Sequence, residues 1–303
     1  MKQIIITIGI LCGLLITNSL YSQQDPMFSQ YMFNTLSVNP AYAGSANCIT
    51  TSLISRHQWL GLNGAPQTQT FVVHAPMKHQ VGVVVSVIRD QVGPMKTFSF
   101  QGNVSYHLKI NEENLMYFGL MAGLNSFNVN LSTVDGVNTD DISFKQDFKA
   151  VKPVFGFGLY YRHPKAYAGF SIPNLVETRY IGENAEWEHK RHFFGIAGYL
   201  WDINDDFKFR PTATLRYTKN SPVSVEFTGS MILKDLLWVG MLYRVGDAAG
   251  ALFCLQVNRQ VRIGYSYDYS LNVLRGHQSG SHEIMVSYDF NNFPKKYATP
   301  RYF

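Results

Sequence analysis

Ser281 beside His282 comes nearest in this sequence to a nucleophile with its base. Adjacent side chains on an extended segment point to opposite faces, and neither a GxSxG turn nor a third orienting residue accompanies the pair, so it builds no hydrolytic centre. The nine histidines occur singly, without the HExxH spacing or paired cysteines of a zinc site. Asp135, Asn138, Asp140 and Asp141 offer the oxygen ligands that calcium prefers. They lack the glycine and distal glutamate of a calcium loop and read as a solvated acidic turn. The glycines form no phosphate cradle; they fall within segments of strand character, where they suit close packing and curvature. The expectation is a protein that is not an enzyme and has no cofactor or metal.

A second set of polar residues has a spacing that speaks of an interior. Arg216, Glu226, Arg244, Arg262, Asp268, Glu283 and Asp289 each occupy the polar alternate of a segment whose other alternates are apolar. Strands of one closed sheet would turn all seven into a single lumen. Because both signs are mixed, the charges can pair into a network that stiffens the wall. The alternative is a polar surface for a plug or a passing segment, with Arg244, Asp247, Asp268 and Glu283 toward its extracellular end.

The stretch Gln24, Asp25, Pro26, Met27, Phe28, Ser29, Gln30, Tyr31, Met32, Phe33, Asn34 is a third candidate. Asp25 can cap a helix whose first residue is Pro26, and Phe28, Tyr31 and Met32 then share a face at spacings of three and four. One or two helical turns would tuck into a lumen or its periplasmic mouth as a plug. Alternatively, the stretch is a lead-in stapled to a barrel rim. Either way the exposed aromatic face needs an apolar or aromatic acceptor.

The elements that must position these residues are strands. From Phe98 to Ile110 the residues Phe98, Phe100, Val104, Tyr106, Leu108 and Ile110 alternate with Ser99, Gln101, Asn103, Ser105, His107 and Lys109. That period of two marks a strand between an apolar and a polar environment. Applied throughout, it predicts about fourteen strands, at roughly 48–58, 67–75, 80–90, 97–109, 115–128, 151–162, 166–173, 190–201, 207–218, 223–232, 236–245, 249–257, 261–269 and 282–290. More than half of the chain as strand is far above the level of an ordinary soluble domain. The connections alternate as well: every even-to-odd connection is short, whereas the three longest, Val129 to Ala150, Asn174 to His189 and Ser270 to Ser281, are all odd-to-even. Outer-membrane barrels have tight periplasmic turns and longer extracellular loops. The predicted fold is an all-β, transmembrane, antiparallel up-and-down barrel with both termini periplasmic, closed because hydrocarbon does not tolerate an unpaired sheet edge.

Residues 1–22 have the order of a cleaved export signal: Lys2, an apolar run from Ile4 to Ile16, then polar residues ending at Ser22. Cys12 lies inside the apolar run with Leu11 before it, which argues against a lipid anchor. The organisation predicted is a leader at 1–22, an aromatic segment at 23–47, a barrel at 48–290 and a periplasmic tail at 291–303. Removing Lys2 leaves 25 Lys and Arg against 21 Asp and Glu, too mild and too scattered an excess for nucleic acid. The 18 Tyr and 21 Phe suit a membrane interface in contact with outer-membrane lipid. Cys48 and Cys254, placed on distant strands, are expected to be unpaired.

QDPMFSQYMFN continuing to NPAYAG at Asn39–Gly44, YRVGDA at Tyr243–Ala248, GYSYDYSLNVL at Gly264–Leu274 and GSHEIMVSYDF at Gly280–Phe290 resemble the two ends of the PorP/SprF family, and RPTATLRYT at Arg210–Thr218 resembles its middle more loosely. That resemblance implies an outer-membrane barrel of the type IX secretion and gliding apparatus. It also implies partners: a secreted adhesin or other type IX cargo, and a peptidoglycan-associated protein in the periplasm. The tail, with Lys295, Lys296 and Arg301 among Tyr297, Tyr302 and Phe303, is either a contact for such a partner or a frayed end. The competing expectation is a transport pore for small solutes.

Overall fold

The computed structural model describes residues 26–46, 48–131, 147–182 and 186–290. The leader, Asp25, the acidic quartet from Asp135 to Asp141 and the tail lie outside the described residues.

The chain forms β1 (Ile49–His57), β2 (Gln67–Pro76), β3 (Val81–Val92), β4 (Met95–Lys109), β5 (Leu115–Val129), β6 (Phe148–His163), β7 (Ala166–Ile172), β8 (Thr178–Ile181), β9 (Glu186–His189), β10 (His192–Tyr199), β11 (Trp201–Asp202), β12 (Phe207–Thr218), β13 (Ser224–Leu233), β14 (Leu237–Arg244), β15 (Ala248–Gln256), β16 (Val261–Ser270) and β17 (Ser281–Phe290). β11 continues β10 past Leu200 along the same neighbour, β12, and β8 with β9 makes a separate hairpin. What remains is a closed antiparallel barrel of 14 strands. Each wall strand pairs with the next in sequence, and the ring is completed where β1 lies against β17, with Ile49 opposite Phe290 and His57 opposite His282.

The burial pattern is that of a soluble protein turned inside out. On β4 the outward Phe98, Phe100 and Val104 are 48%, 51% and 55% exposed, whereas the inward Ser99, Asn103 and Ser105 are 6%, 4% and 1% exposed. Apolar surface of that extent is stable only against lipid, and the polar interior must find partners of its own. Leu120 stands in this outer band, between Val104 on β4 and Phe157 on β6. Leu120→Arg is expected to destabilise the barrel in a bilayer by about 2–4 kcal/mol, read from denaturant unfolding in lipid vesicles; an unchanged midpoint would mean that this face does not meet hydrocarbon.

The three longest connections all lie at one end of the barrel, between β5 and β6, between β7 and β10, and between β16 and β17. The opposite end carries the short turns. At one of them, between the paired Leu233 and Leu237, Lys234 and Asp235 both have positive φ, 48° and 57°, a mirror-image turn whose twist matches that of the flanking strands. The hairpin β8–β9 folds Tyr180 and Trp187 onto Phe127 and Phe148 at the long-connection end, with ring centroids 4.7 Å apart for Tyr180 and Phe127 and 5.1 Å for Trp187 and Phe148.

Candidate functional site

The lumen is occupied by the chain itself. Residues 26–46 run along its length, and within them Ser29, Gln30, Asn39, Ala41 and Ala43 have no exposed surface. In place of a helix from Pro26 there is one hydrogen-bonded turn, with Phe33 and Asn34 N–H donating to the Gln30 carbonyl. Two short 3-10 turns follow at Thr35–Ser37 and Pro40–Tyr42. The departure has a physical cause: the backbone N–H groups of Ser29 and Gln30, which a helix would keep for itself or leave to a cap, are used by the barrel wall.

Both of those N–H groups donate to Glu283, to Oε2 at 2.8 Å and to Oε1 at 3.1 Å. The Ser29 hydroxyl donates to Asp268 Oδ2 at 2.5 Å. Arg56 joins the set, donating to Ser29 Oγ (2.7 Å), Glu283 Oε2 (3.0 Å) and Asp268 Oδ2 (2.9 Å). Five wall and segment residues thus share one buried site near the ends of β1, β16 and β17, where the long connections begin. Ser29→Ala removes a donor to Asp268 and an acceptor for Arg56 at once, and is expected to cost about 1–3 kcal/mol. The temperature at which the folded barrel loses its compact mobility on a denaturing gel should fall, and no shift would mean the hydroxyl carries little.

Farther along, the segment descends. Phe33 lies against Trp238 with perpendicular rings 6.2 Å apart, and the Arg210 guanidinium sits 5.1 Å from the Phe33 ring. The Val38 carbonyl accepts from Ser171 Oγ (2.7 Å), Asn39 Nδ2 donates to the Leu159 carbonyl (2.9 Å), and the Ala43 carbonyl accepts from Ser105 Oγ (2.6 Å). The wall opposite is made of glycine: a Cβ on Gly119 would overlap the backbone nitrogen of Ala41, one on Gly158 the side chain of Asn39, and one on Gly82 the carbonyl of Ala43. At the short-turn end, Arg162 donates to the Ser45 carbonyl at 3.3 Å. The segment therefore spans the barrel from the long-connection end to the start of β1.

The aromatic residues of the segment meet the acceptor their chemistry requires. Phe28 and Tyr31 pack edge to face at 6.1 Å, and Tyr31 reaches Phe194 at 6.4 Å. The Tyr31 hydroxyl accepts from Phe28 N–H at 3.2 Å.

A family model described as type IX secretion system membrane protein PorP/SprF matches residues 20–288. The chain belongs to this family. No curated protein matches it. Among solved structures, the monoaromatic hydrocarbon channel CymD superposes with a TM-score of 0.52 at 11% identity, over 87% of this chain and 93% of its own. The outer membrane protein Omp33 of Acinetobacter baumannii gives 0.47 at 9% identity, over 80% of this chain and 98% of its own. A FadL homologue of Pseudomonas aeruginosa gives 0.46 at 12%, over 88% and 95%. At 11% identity the likeness to CymD is one of fold, and this PorP/SprF protein is an outer-membrane β-barrel.

The seven charges that alternation selects face the interior of the PorP/SprF barrel in separate groups among the described residues. Glu226 accepts from Arg244 Nε at 3.0 Å and Nη2 at 2.5 Å, and Arg244 Nη1 donates to Asp247 at 3.1 Å. Asp268 and Glu283 belong to the Arg56 set. Arg262 lies 5.5 Å from the Trp238 ring and donates to Gln256 Oε1, Asp289 accepts from Thr50 Oγ1, and Arg216 contacts the Met27 sulfur.

Sequence reasoning missed Arg56 and Arg210, each 1% exposed. Arg210 has the same parity as Arg216 on β12, so the rule that selects one selects the other. Of the remaining candidates, Ser281 faces inward and accepts from Trp59 N–H at 3.1 Å, while the His282 ring lies outside, 2.8 Å from the Tyr265 hydroxyl. Cys48 and Cys254 are buried thiols. Among the described residues, no group of three or more His, Cys, Asp or Glu is placed to hold a metal ion.

Proposed function

We propose that this barrel serves type IX secretion and gliding by protein contact at its two mouths, without catalysis, helping to export or hold a secreted adhesin at the surface and meeting a peptidoglycan-associated partner below. The observation that carries the reading is the filling of the lumen by residues 26–46, which leaves the rims as the surfaces available to partners. One cavity beside the segment, between Met32, Phe33, Asn34, Leu36 and the wall, measures about 40 Å³. In this reading the short turns face the periplasm, and residues 26–46 act as a resident plug. Extraction in mild detergent followed by mass spectrometry of what co-purifies is the test: a large secreted protein or a periplasmic partner is expected, and recovery of the bare barrel from cells exporting cargo would overturn it.

A second reading, a pore for small solutes, has the fold it shares with the hydrocarbon channel CymD in its favour. It requires uptake into liposomes by the full-length barrel. The contact reading requires that the same liposomes stay closed.

A further inference from the structure

Residues 26–30 and the end of the last strand lie at opposite mouths of the barrel. Ser29 is held by Arg56, Asp268 and Glu283, each within two residues of the long-connection end of its strand. Met27 touches Arg216, two residues from the same end of β12. At the other extreme, the Ala43 carbonyl accepts from Ser105, and Gly44 lies against Gly82 and Pro76, residues that border the short turns. β17 ends there too, where Phe290 faces Ile49. An even number of strands does bring β1 and β17 to one mouth, as the expectation of two periplasmic termini requires. The chain ahead of β1 then turns back and climbs through the lumen, so Pro26 lies at the mouth away from Phe290.

We infer that residues 26–46 form a strap through the membrane that brings the amino end of the mature chain out at the cell-surface mouth, while the carboxyl end of the barrel stays in the periplasm. This rests on the proposed orientation with the short turns in the periplasm. The strap is built as a tie between the two mouths. Its outer end is clasped by charged side chains, its middle lies on glycines that admit backbone at contact distance, and its inner end continues covalently into β1. A partner that grips the outer end would therefore act directly on the seating of the strap, whereas a partner below meets β1 and the short turns. An apolar leader left on the chain would be carried to the same mouth and into water, so the strap demands that the leader be removed before it seats.

The experiment labels intact cells with a membrane-impermeant maleimide and with an antibody to a short tag placed on the mature amino end. Val273→Cys, on the long connection between β16 and β17 and 92% exposed, and Met77→Cys, in a short turn and 57% exposed, report the two sides, and the native thiols Cys48 and Cys254 are buried. The expected result is that Val273→Cys and the amino-end tag react on intact cells, with Met77→Cys reacting only after permeabilisation. A tag that behaves like Met77→Cys while Val273→Cys labels from outside would overturn the strap and leave the orientation standing. Labelling of Met77→Cys, and not Val273→Cys, on intact cells would overturn the orientation instead. Met27→Cys should follow the tag, becoming reactive from the Val273 side when the clasp is weakened by Glu283→Gln.

Discussion

Arg56→Ala is expected to cost the barrel about 3–5 kcal/mol, more than any other single substitution in the lumen. Arg56 is the cation between the two carboxylates, Asp268 and Glu283, and all three side chains are at most 3% exposed. Its removal leaves two buried carboxylates with hydrogen bonds from Ser29 and Gln30, and the cation that still acts on Asp268, Arg244, is already paired with Glu226. The penalty arises from stranding those charges more than from losing two ion pairs, since buried pairs only roughly offset their own desolvation. A combined Arg56→Ala, Asp268→Asn variant should therefore recover part of the loss, a coupling a simple packing defect would not produce. Unfolding midpoints in lipid vesicles, with heat-dependent gel mobility as a second readout, decide it. A single variant as stable as the parent would show that the clasp does not hold the fold.

The wall was legible in the sequence to within a few residues at nearly every strand, because lipid on one side and a polar lumen on the other impose a clean period of two. For β1 the extent is legible and the assignment of its faces is not. Its inward residues are Thr50, Ser52, Ile54 and Arg56 and its outward residues Thr51, Leu53, Ser55 and His57, so each face mixes apolar and polar types. With no contrast between faces, alternation could not assign Arg56 to the lumen, although its register opposite Glu283 does so at once. The N-terminal segment shows another limit. Spacing puts Phe28, Tyr31 and Met32 on one face that needs an apolar or aromatic acceptor, but local capping rules choose a helix. Helix rules compare a backbone hydrogen bond within the segment against water, and here the competitor was a buried carboxylate on β17, 253 residues distant from Gln30 in sequence. The direction in which the segment is threaded depends on the same long-range contacts and had no local signal.

Deleting residues 26–46 is expected to convert a closed barrel into a conducting one in planar bilayers. The wall does not depend on that segment for its main-chain pairing: β1 to β17 close on each other, and none of the wall ladders includes a residue before Ile49. What the segment supplies is volume, along with partners for Glu283, Asp268, Ser171, Ser105 and Arg162, all of which water can replace. An emptied lumen lined by those groups would be wetted and permeable to ions. A subtler change should reach the same state. Gly119→Val places a branched side chain where the Ala41 backbone lies, and the Gly119 backbone cannot yield without breaking the β4–β5–β6 ladder, so the segment is forced off its seat. Gly102→Ala is the matched control, because a Cβ there meets nothing nearer than the Ala122 carbonyl oxygen at 3.9 Å. Steady conductance from the deletion and from Gly119→Val, against silence from the parent and Gly102→Ala, would establish that the segment blocks the lumen. If the parent conducts as well as the deletion, ions already pass beside the segment, and it is a tie between the mouths rather than a plug.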